Sequence, residues 1–491
     1  MRFARFLRAA APAALGLALV CAGCASTHGL APQERPTAPD SLAASRTLGG
    51  FSKADFPTAD WWRAFGDPQL DALVDEALAG TPSLAAADAR LRAAVAQAGL
   101  AESARKASVG VGAQYSGLRI PETIAPAPFG GSYQGIVLLT MNLKYDPDFW
   151  GVKREKWQAA IGQARAAQAE AQAARMMLAS NIASAYVVLA QAYAAQDVAL
   201  AEKARASHLL ELGSQRLRAG LDSQLPLRQA EAAVAAGQQE AEAAQQHIDA
   251  ARNALAALLG KGPDRALAIS RPALLSAPAP AVPSVLPSEL LGHRADIVAA
   301  RWRVEAARHG IAASRAAFYP SVNLAGMVGL ASGGLTDLFG TGALLVQGGP
   351  AISLPIFDGG GLRSQLARSD ADYDLAVASY NESLVTALRE VADALQAARA
   401  LDAQIAAARQ ASEAASAAQH LAQSRYAAGL GTQLDVLAAQ QPLLQVEQQL
   451  AALRAQRLTA VIDLDRALGG GLQLDHADSD SISDLAKAPT P

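Results

Sequence analysis

Thiols are almost missing from this sequence. Cysteine occurs twice in 491 residues, at Cys21 and Cys24. Downstream of that pair there is no thiol for a disulfide, a zinc site or a nucleophile. Aromatic residues make up only 5% of the chain. After residues 9–20 no apolar run of about 18 residues stands out, so no membrane-spanning helix is expected beyond the leader. A membrane crossing by the remaining chain would require a closed β-barrel. A basic excess is also missing. Lys and Arg number 42 against 45 Asp and Glu, a formal charge of −3, which offers no footprint for nucleic acid. The seven histidines are scattered, with no HExxH helix, GxSxG elbow, Walker A loop or GxGxxG turn. "DADYD" at 370–374 starts like a calcium loop, but Leu375 stands where Gly is needed and Asn381 where Glu is needed. No enzyme, cofactor or metal chemistry is expected, so any work this protein serves must be powered by a partner.

What is present begins with an export leader. Arg2, Arg5 and Arg8 precede the apolar stretch "AAAPAALGLALV" (9–20), which is too short to span a bilayer. "CAGC" (21–24) follows and resembles a bacterial lipobox, with Cys24 as the lipidated new N-terminus. Cys21 departs from the pattern, where Leu is usual. An ordinary signal peptide cut nearby is the alternative. Ala25, not Asp, follows the cysteine, which favours sorting to the outer membrane. Loss of the three leader arginines takes the formal charge to about −6.

Long alanine-rich helices dominate the rest. Residues 152–212 lack proline and contain only Gly162 as an interior glycine, which predicts a helix of roughly 90 Å. Residues 361–428 predict a second. Shorter helices are expected at 83–107 and 223–259 in the first half, and at 294–316 and 432–468 in the second. Each short pair nearly matches its long helix in length, as if two short helices were stacked end to end along it. The segments are a signal peptide (1–23), an extended segment (24–66) and a first repeat (67–259). A proline-rich connector (260–293), a second repeat (294–470) and a mobile acidic tail (471–491) follow.

Four stretches alternate with period two. In 108–118, Val109, Val111, Ala113 and Tyr115 oppose Ser108, Gly110, Gly112, Gln114 and Ser116. In 134–145, Val137, Leu139, Met141, Leu143 and Tyr145 oppose Gln134, Thr140, Asn142 and Lys144. Val322, Leu324, Val328 and Leu330 share a face in 321–330, as do Leu344, Val346, Ile352 and Leu354 in 344–354. Such alternation marks a transmembrane barrel strand. A soluble hairpin packed on the helices is the other reading. Four strands cannot close a barrel, so several chains would share one. Two copies give eight strands, whose interior is filled by side chains, and three give twelve, which leaves room for a pore.

"RLRAGLDSQL" (216–225) returns 209 residues later as "RYAAGLGTQL" (425–434). Gly220 and Gly429 have the place of C′ glycines that end a long helix, and Ser223 and Thr432 the place of N-caps that start its return. Neither role requires Leu at both 221 and 430, or Arg at both 216 and 425.

"WWRAFGDPQLDALVDEAL" (61–78), the paired junctions "YDPDFWGVKR" (145–154) and "PIFDGGGLRS" (355–364), and "ALGGGL" (467–472) resemble the TolC-like outer-membrane factors, in particular the lipoprotein branch that serves multidrug efflux. The resemblance covers nearly the whole mature chain. It implies a mainly α protein with a membrane β-barrel: a homotrimer whose twelve strands, four per chain, cross the outer membrane, continued by a long periplasmic tube of helices. It further implies partners, namely a periplasmic adaptor and an inner-membrane pump, with outer-membrane lipid around the barrel and no nucleic acid. Adaptor docking would fall on Arg216, Gly220, Leu221, Ser223, Arg425, Gly429, Leu430 and Thr432. A periplasmic gate would fall on Leu434 and Asp435. The second acidic position of the family's gate falls on Ala438, so one carboxylate ring is expected, with like-charge crowding raising its apparent pKa. The plain reading of Asp435 is a first-turn acid that favours the helix dipole. Asp67-Pro68, Asp148, Asp358 and Gly359-Gly360-Gly361 read as structural caps and turns, and Trp61, Trp62 and Trp150 as packing or interfacial aromatics. An exit duct for protein secretion and a non-channel helical scaffold remain as alternatives.

The leader generates the first prediction. Mass spectrometry of the mature N-terminus will find an acylated Cys24, and Cys24→Ser will abolish the modification. An unmodified terminus at another residue of the wild-type protein would refute it.

Overall fold

The computed structural model describes residues 27–43, 55–124, 130–273 and 293–471, with the isolated positions 46, 52, 53, 126, 128, 281 and 282. Cys24 and the leader lie outside the described residues. So do half of the proline-rich connector and all but the first residue of the expected tail.

The main elements are α1 (Pro68–Ala79), α2 (Pro82–Ser103), β1 (Ser108–Arg119), β2 (Tyr133–Tyr145), α3 (Val152–Arg218) and α4 (Gln224–Leu258). The second half holds α5 (Ala295–Ala316), β3 (Ser321–Ser332), β4 (Leu344–Ser353), α6 (Gly361–Ala427) and α7 (Gln433–Ala467). The two halves match closely. Each has a long helix of 67 residues, one helix of 22 and one of 35. The long helices each extend about 100 Å. The α3 helix runs six residues past the expected stop at 212, because Gly213 is tolerated inside the helix. The residue that ends it is Gly220, at φ +70°.

The short helices pack along the long ones, α2 and α4 on α3 and α7 on α6. The α5 helix differs from its counterpart α2, because it lies against both α3 and α6 and so joins the repeats. Close approach makes this possible. A Cβ at Gly162 would stand 2.9 Å from Ala306 Cβ and 3.2 Å from the Ala306 backbone. The central part of α3 is apolar enough over 18 residues to pass for a membrane span. Part of it, 44% of that stretch, is instead buried in the protein. Leu178, Ile182, Tyr186 and Leu189 pack in the main core with Trp61, Trp62, Phe65, Leu70, Leu73, Leu255 and Ile462. Trp61 and Trp62 meet edge to face at 5.9 Å, as packing aromatics.

Asp67 ties this core together. Its Oδ1 accepts from the Gln69 amide at 2.9 Å, capping α1 ahead of Pro68. Its Oδ2 accepts from Tyr186 Oη at 2.7 Å and from the Ala273 amide at 2.9 Å. Burial, and then the facing carboxylate, push the Tyr186 phenol above its usual range. A second core, around Ile297, Leu384, Val391 and Leu464, is bridged by Arg294. Its guanidinium reaches Asp296 at 2.6 Å, Glu390 at 2.9 Å and the Ala467 carbonyl at 3.0 Å.

The four strands form one antiparallel sheet in the order β1-β2-β3-β4. Val111, Met141, Val328 and Val346 fall in one cross-strand row, and Ala113, Leu139, Leu330 and Leu344 in the next. One face is therefore apolar across the whole sheet, and no helix covers it. Val111 is 75% exposed and Ile352 74%. The soluble-hairpin reading fails on this point. The opposite face carries mostly small and polar residues, Lys144 among them, with Ile136, Leu138, Met327 and Leu345 between them.

The helix contact generates a prediction. Gly162→Val will drive a side chain into α5 and destabilise the protein by about 1–3 kcal/mol. A lowered thermal unfolding midpoint measures it; an unchanged midpoint would mean that α3 and α5 are not held at this distance.

Candidate functional site

The repeated stretches lie at the far ends of two helical hairpins, α3–α4 and α6–α7. Both long helices end in the same Schellman motif. The Leu221 amide donates to the Arg216 carbonyl at 2.9 Å and the Gly220 amide to Leu217 at 3.0 Å. Leu430 and Gly429 repeat this with Arg425 at 2.8 Å and Tyr426 at 3.0 Å. Gly429 has φ +72°, close to the +70° of Gly220.

The returning helices begin differently. Thr432 makes a capping box with Asp435. The Asp435 amide donates to Thr432 Oγ1 at 3.2 Å, and Asp435 Oδ2 accepts from the Thr432 amide at 2.7 Å and its hydroxyl at 2.8 Å. Ser223 holds the N-cap position, yet its side chain makes no capping hydrogen bond. The reason is in the sequence. The bond that Thr432 makes runs to the N3 amide, and the N3 residue of α4 is Pro226, which has no N–H, so that bond is denied to Ser223. The Ser223 amide is instead bound by Asp222 Oδ1 at 3.2 Å.

The arginines also part company. Arg216 is four-fifths buried, with Nε 3.2 Å from Asp222 Oδ2. Its guanidinium lies over the Tyr426 ring at 4.8 Å, and the Tyr426 hydroxyl donates to the same Asp222 oxygen at 3.2 Å. Tyr426 packs with Leu209 and Val436 in a small core between the hairpins. Arg216 is therefore a pin between the two tips, which supplies the structural need that the sequence did not show. Arg425 remains exposed and donates to the Leu430 carbonyl at 3.4 Å. The leucines have no such role. Leu221, Leu225, Leu430 and Leu434 are each about two-thirds exposed. The structure brings Leu430, Thr432, Leu434 and Asp435 together at one tip and Gly220, Leu221 and Ser223 at the other. Asp222, Tyr426 and Gln433, a buried residue, were missed by sequence reasoning.

Asp435 differs from the sequence expectation within the protomer. Hydrogen bonds from the Thr432 backbone and then from its side chain hold the carboxyl below its usual value of 3.8. The first-turn role read from sequence is therefore present.

At the other end of the long helices, strand turns into helix. Asp148, at φ +50°, accepts from the amides of Lys153 at 3.0 Å and Arg154 at 2.8 Å, capping α3 behind Gly151. Asp358 does the same for α6 through Gly360 at 3.1 Å and Leu362 at 2.5 Å. Around these caps Phe149, Trp150, Tyr319 and Phe357 are exposed, and Trp150 stacks on Tyr319 at 4.8 Å. Such a collar of aromatics beside an uncovered apolar sheet marks a bilayer boundary.

An uncovered membrane sheet that continues into helical hairpins of about 100 Å defines a membrane duct component. The chain matches the outer membrane efflux protein family over residues 73–261 and 286–470. It is 38% identical to the fusaric acid resistance protein FusA of Burkholderia cepacia, over 73% of this chain and 69% of that one. With the outer membrane protein OprJ of Pseudomonas aeruginosa it shares 34% identity over 93% and 95% of the two chains. The crystal structure of the outer membrane protein VceC from Vibrio cholerae superposes with a TM-score of 0.80 at 40% identity, covering 85% of this chain and all of that one. The chain belongs to the outer membrane efflux protein family and is an outer-membrane efflux channel protein.

The capping box generates a prediction. Thr432→Ala will remove the two hydroxyl bonds of the capping box and keep the bond from the residue 432 amide, so the Asp435 carboxyl pKa will rise part of the way toward 3.8 and hydrogen exchange in the first turn of α7 will quicken. Because the folded value is depressed, the stabilisation is fully present above pH 3.8. It is lost as the pH falls through the folded value, and the variant will show a weaker acid dependence. NMR titration of Asp435 checks it, and an unshifted titration refutes it.

Proposed function

We propose that three copies of this chain close one twelve-stranded barrel, and that the resulting duct passes small toxic molecules through the outer membrane. One observation carries the reading. The sheet is uncovered on its apolar face, and both edge strands, β1 and β4, leave a row of backbone groups unpaired within the described structure. In hydrocarbon each such group costs several kcal/mol, so the edges must pair with other chains. A helical scaffold without a channel has no use for such a sheet. Relatives named for multidrug resistance, fusaric acid resistance and toluene efflux support small molecules over proteins as cargo.

A periplasmic adaptor and an inner-membrane pump complete the pathway in this proposal. The adaptor docks on the tips, where the side chains of Leu221, Leu430 and Arg425 are exposed. Gly220, Ser223, Gly429 and Thr432 shape the same surface, and Arg216 acts through the pin. Leu434 and Asp435 form the gate around the three-fold axis.

The N-terminal segment supports a lipid anchor at Cys24. Thr37, Glu34 and Gln33 donate backbone amides to Asn381 and Asp374 of α6, and Arg363 donates to the His28 carbonyl at 3.3 Å. The segment thus runs along α6 toward the aromatic collar. Cys24 is four residues from His28, a reach of at most about 14 Å.

Two measurements test these assignments. In a deletion strain, Leu221→Asp and Leu430→Asp will leave the trimer and barrel assembled but lose drug resistance. Full resistance in both variants would place docking elsewhere. In planar bilayers, Asp435→Ala will weaken cation selectivity and block by multivalent cations, and Leu434→Ala will raise conductance. Wild-type behaviour in both would mean that other residues form the constriction.

A further inference from the structure

We propose that Lys144 makes the strand-lined bore of the barrel favour anionic solutes. The proposal rests on the trimeric barrel described above. Large apolar side chains on one face of the sheet belong against lipid, which turns the other face toward the bore.

The strand register shows what that inner face holds. Ser108, Lys144, Ala325 and Gly349 form one cross-strand row. Gly110, Asn142, Met327 and Gln347 form the next, and Gly112, Thr140, Gly329 and Leu345 the one after. Among the residues of these four strands only Arg119 and Lys144 carry a full charge. Arg119 lies at the far end of β1 and on the apolar-face parity. The inner face therefore has one charged residue, Lys144, and no carboxylate.

Nearby carboxylates do not neutralise it. Asp146 pairs with Lys153 at 3.1 Å, while Asp148 and Asp358 are held by the amides that begin α3 and α6. Lys144 is exposed, and its row neighbours Ser108, Ala325 and Gly349 are too small to shield it. Three-fold symmetry sets three ammonium groups at one level, at the base of the bore beside the aromatic collar. The field extends about 10 Å at 0.1 M salt and about 3 Å at 1 M. Anionic and amphiphilic anionic molecules are the class that such a ring draws in.

The test uses the full-length protein in planar bilayers, with hexacyanoferrate added on the barrel side. At 0.1 M salt the wild type will be blocked, and Lys144→Gln will weaken that block about tenfold, in line with charge focusing in a narrow passage. Lys144→Arg will retain it. Lys144→Glu will exchange it for block by hexaamminecobalt from the same side. Block by multivalent cations from the helical-tip side will not change in any of the three. Equal hexacyanoferrate block in wild type and Lys144→Gln, or block that persists undiminished at 1 M salt, would overturn the role of Lys144 and leave the channel intact. A wild-type protein with no conductance would overturn the barrel itself.

Discussion

A backbone amide that faces hydrocarbon has no water to bind, and the architecture follows from that constraint. The sheet keeps its internal hydrogen bonds in three ladders, but one edge of β1 and one of β4 remain open. Among the described residues no further strand of the chain pairs with either edge. The protein is therefore incomplete as one chain, and its symmetry is dictated at the membrane, though most of its residues lie far below. The long helices inherit this symmetry. Each is capped at the point where a strand ends, by Asp148 or Asp358, so the strand spacing sets the helix spacing.

Internal duplication made much of this legible in the sequence. Period-two alternation located all four strands, and the register then placed their apolar residues on one face, as alternation alone demands. Uninterrupted alanine-rich runs located the helices. Their ends were less legible where one residue type has two meanings. Gly213 continues a helix and Gly220 ends one, and only the backbone angle distinguishes them. The packing of α5 on both long helices was not legible, because Gly162 and Ala306 reveal their contact only in three dimensions.

At the tips, the matches between repeats misled and the mismatches informed. Arg216 and Arg425 align, yet one is a pin and the other is exposed. Asp222 and Tyr426, which hold the pin, stand opposite Gly431 and Leu217. Pro226 stands opposite Asp435, and that single difference gives α7 a capping box and denies one to α4. Repetition shows what both hairpins need in order to turn. Departure from repetition shows where the two hairpins must recognise each other. Ser223 and Thr432 look alike, but a cap depends on the residue three places later.

Asp435 has to serve two demands at once. In each protomer its carboxylate closes the capping box, which favours the ionised form. Around a three-fold axis the proposed ring would crowd three such charges, which favours the neutral form. The capping bonds hold each carboxyl below its usual value and so oppose the upward push of crowding. A bare carboxylate ring could soften its repulsion by taking up a proton, at the cost of its charge. Here the bonds from Thr432 favour the ionised carboxylate, the form that the start of the helix also favours. The same few atoms thus fix the beginning of α7 and the electrostatics of the proposed gate, so a change that loosens one alters the other.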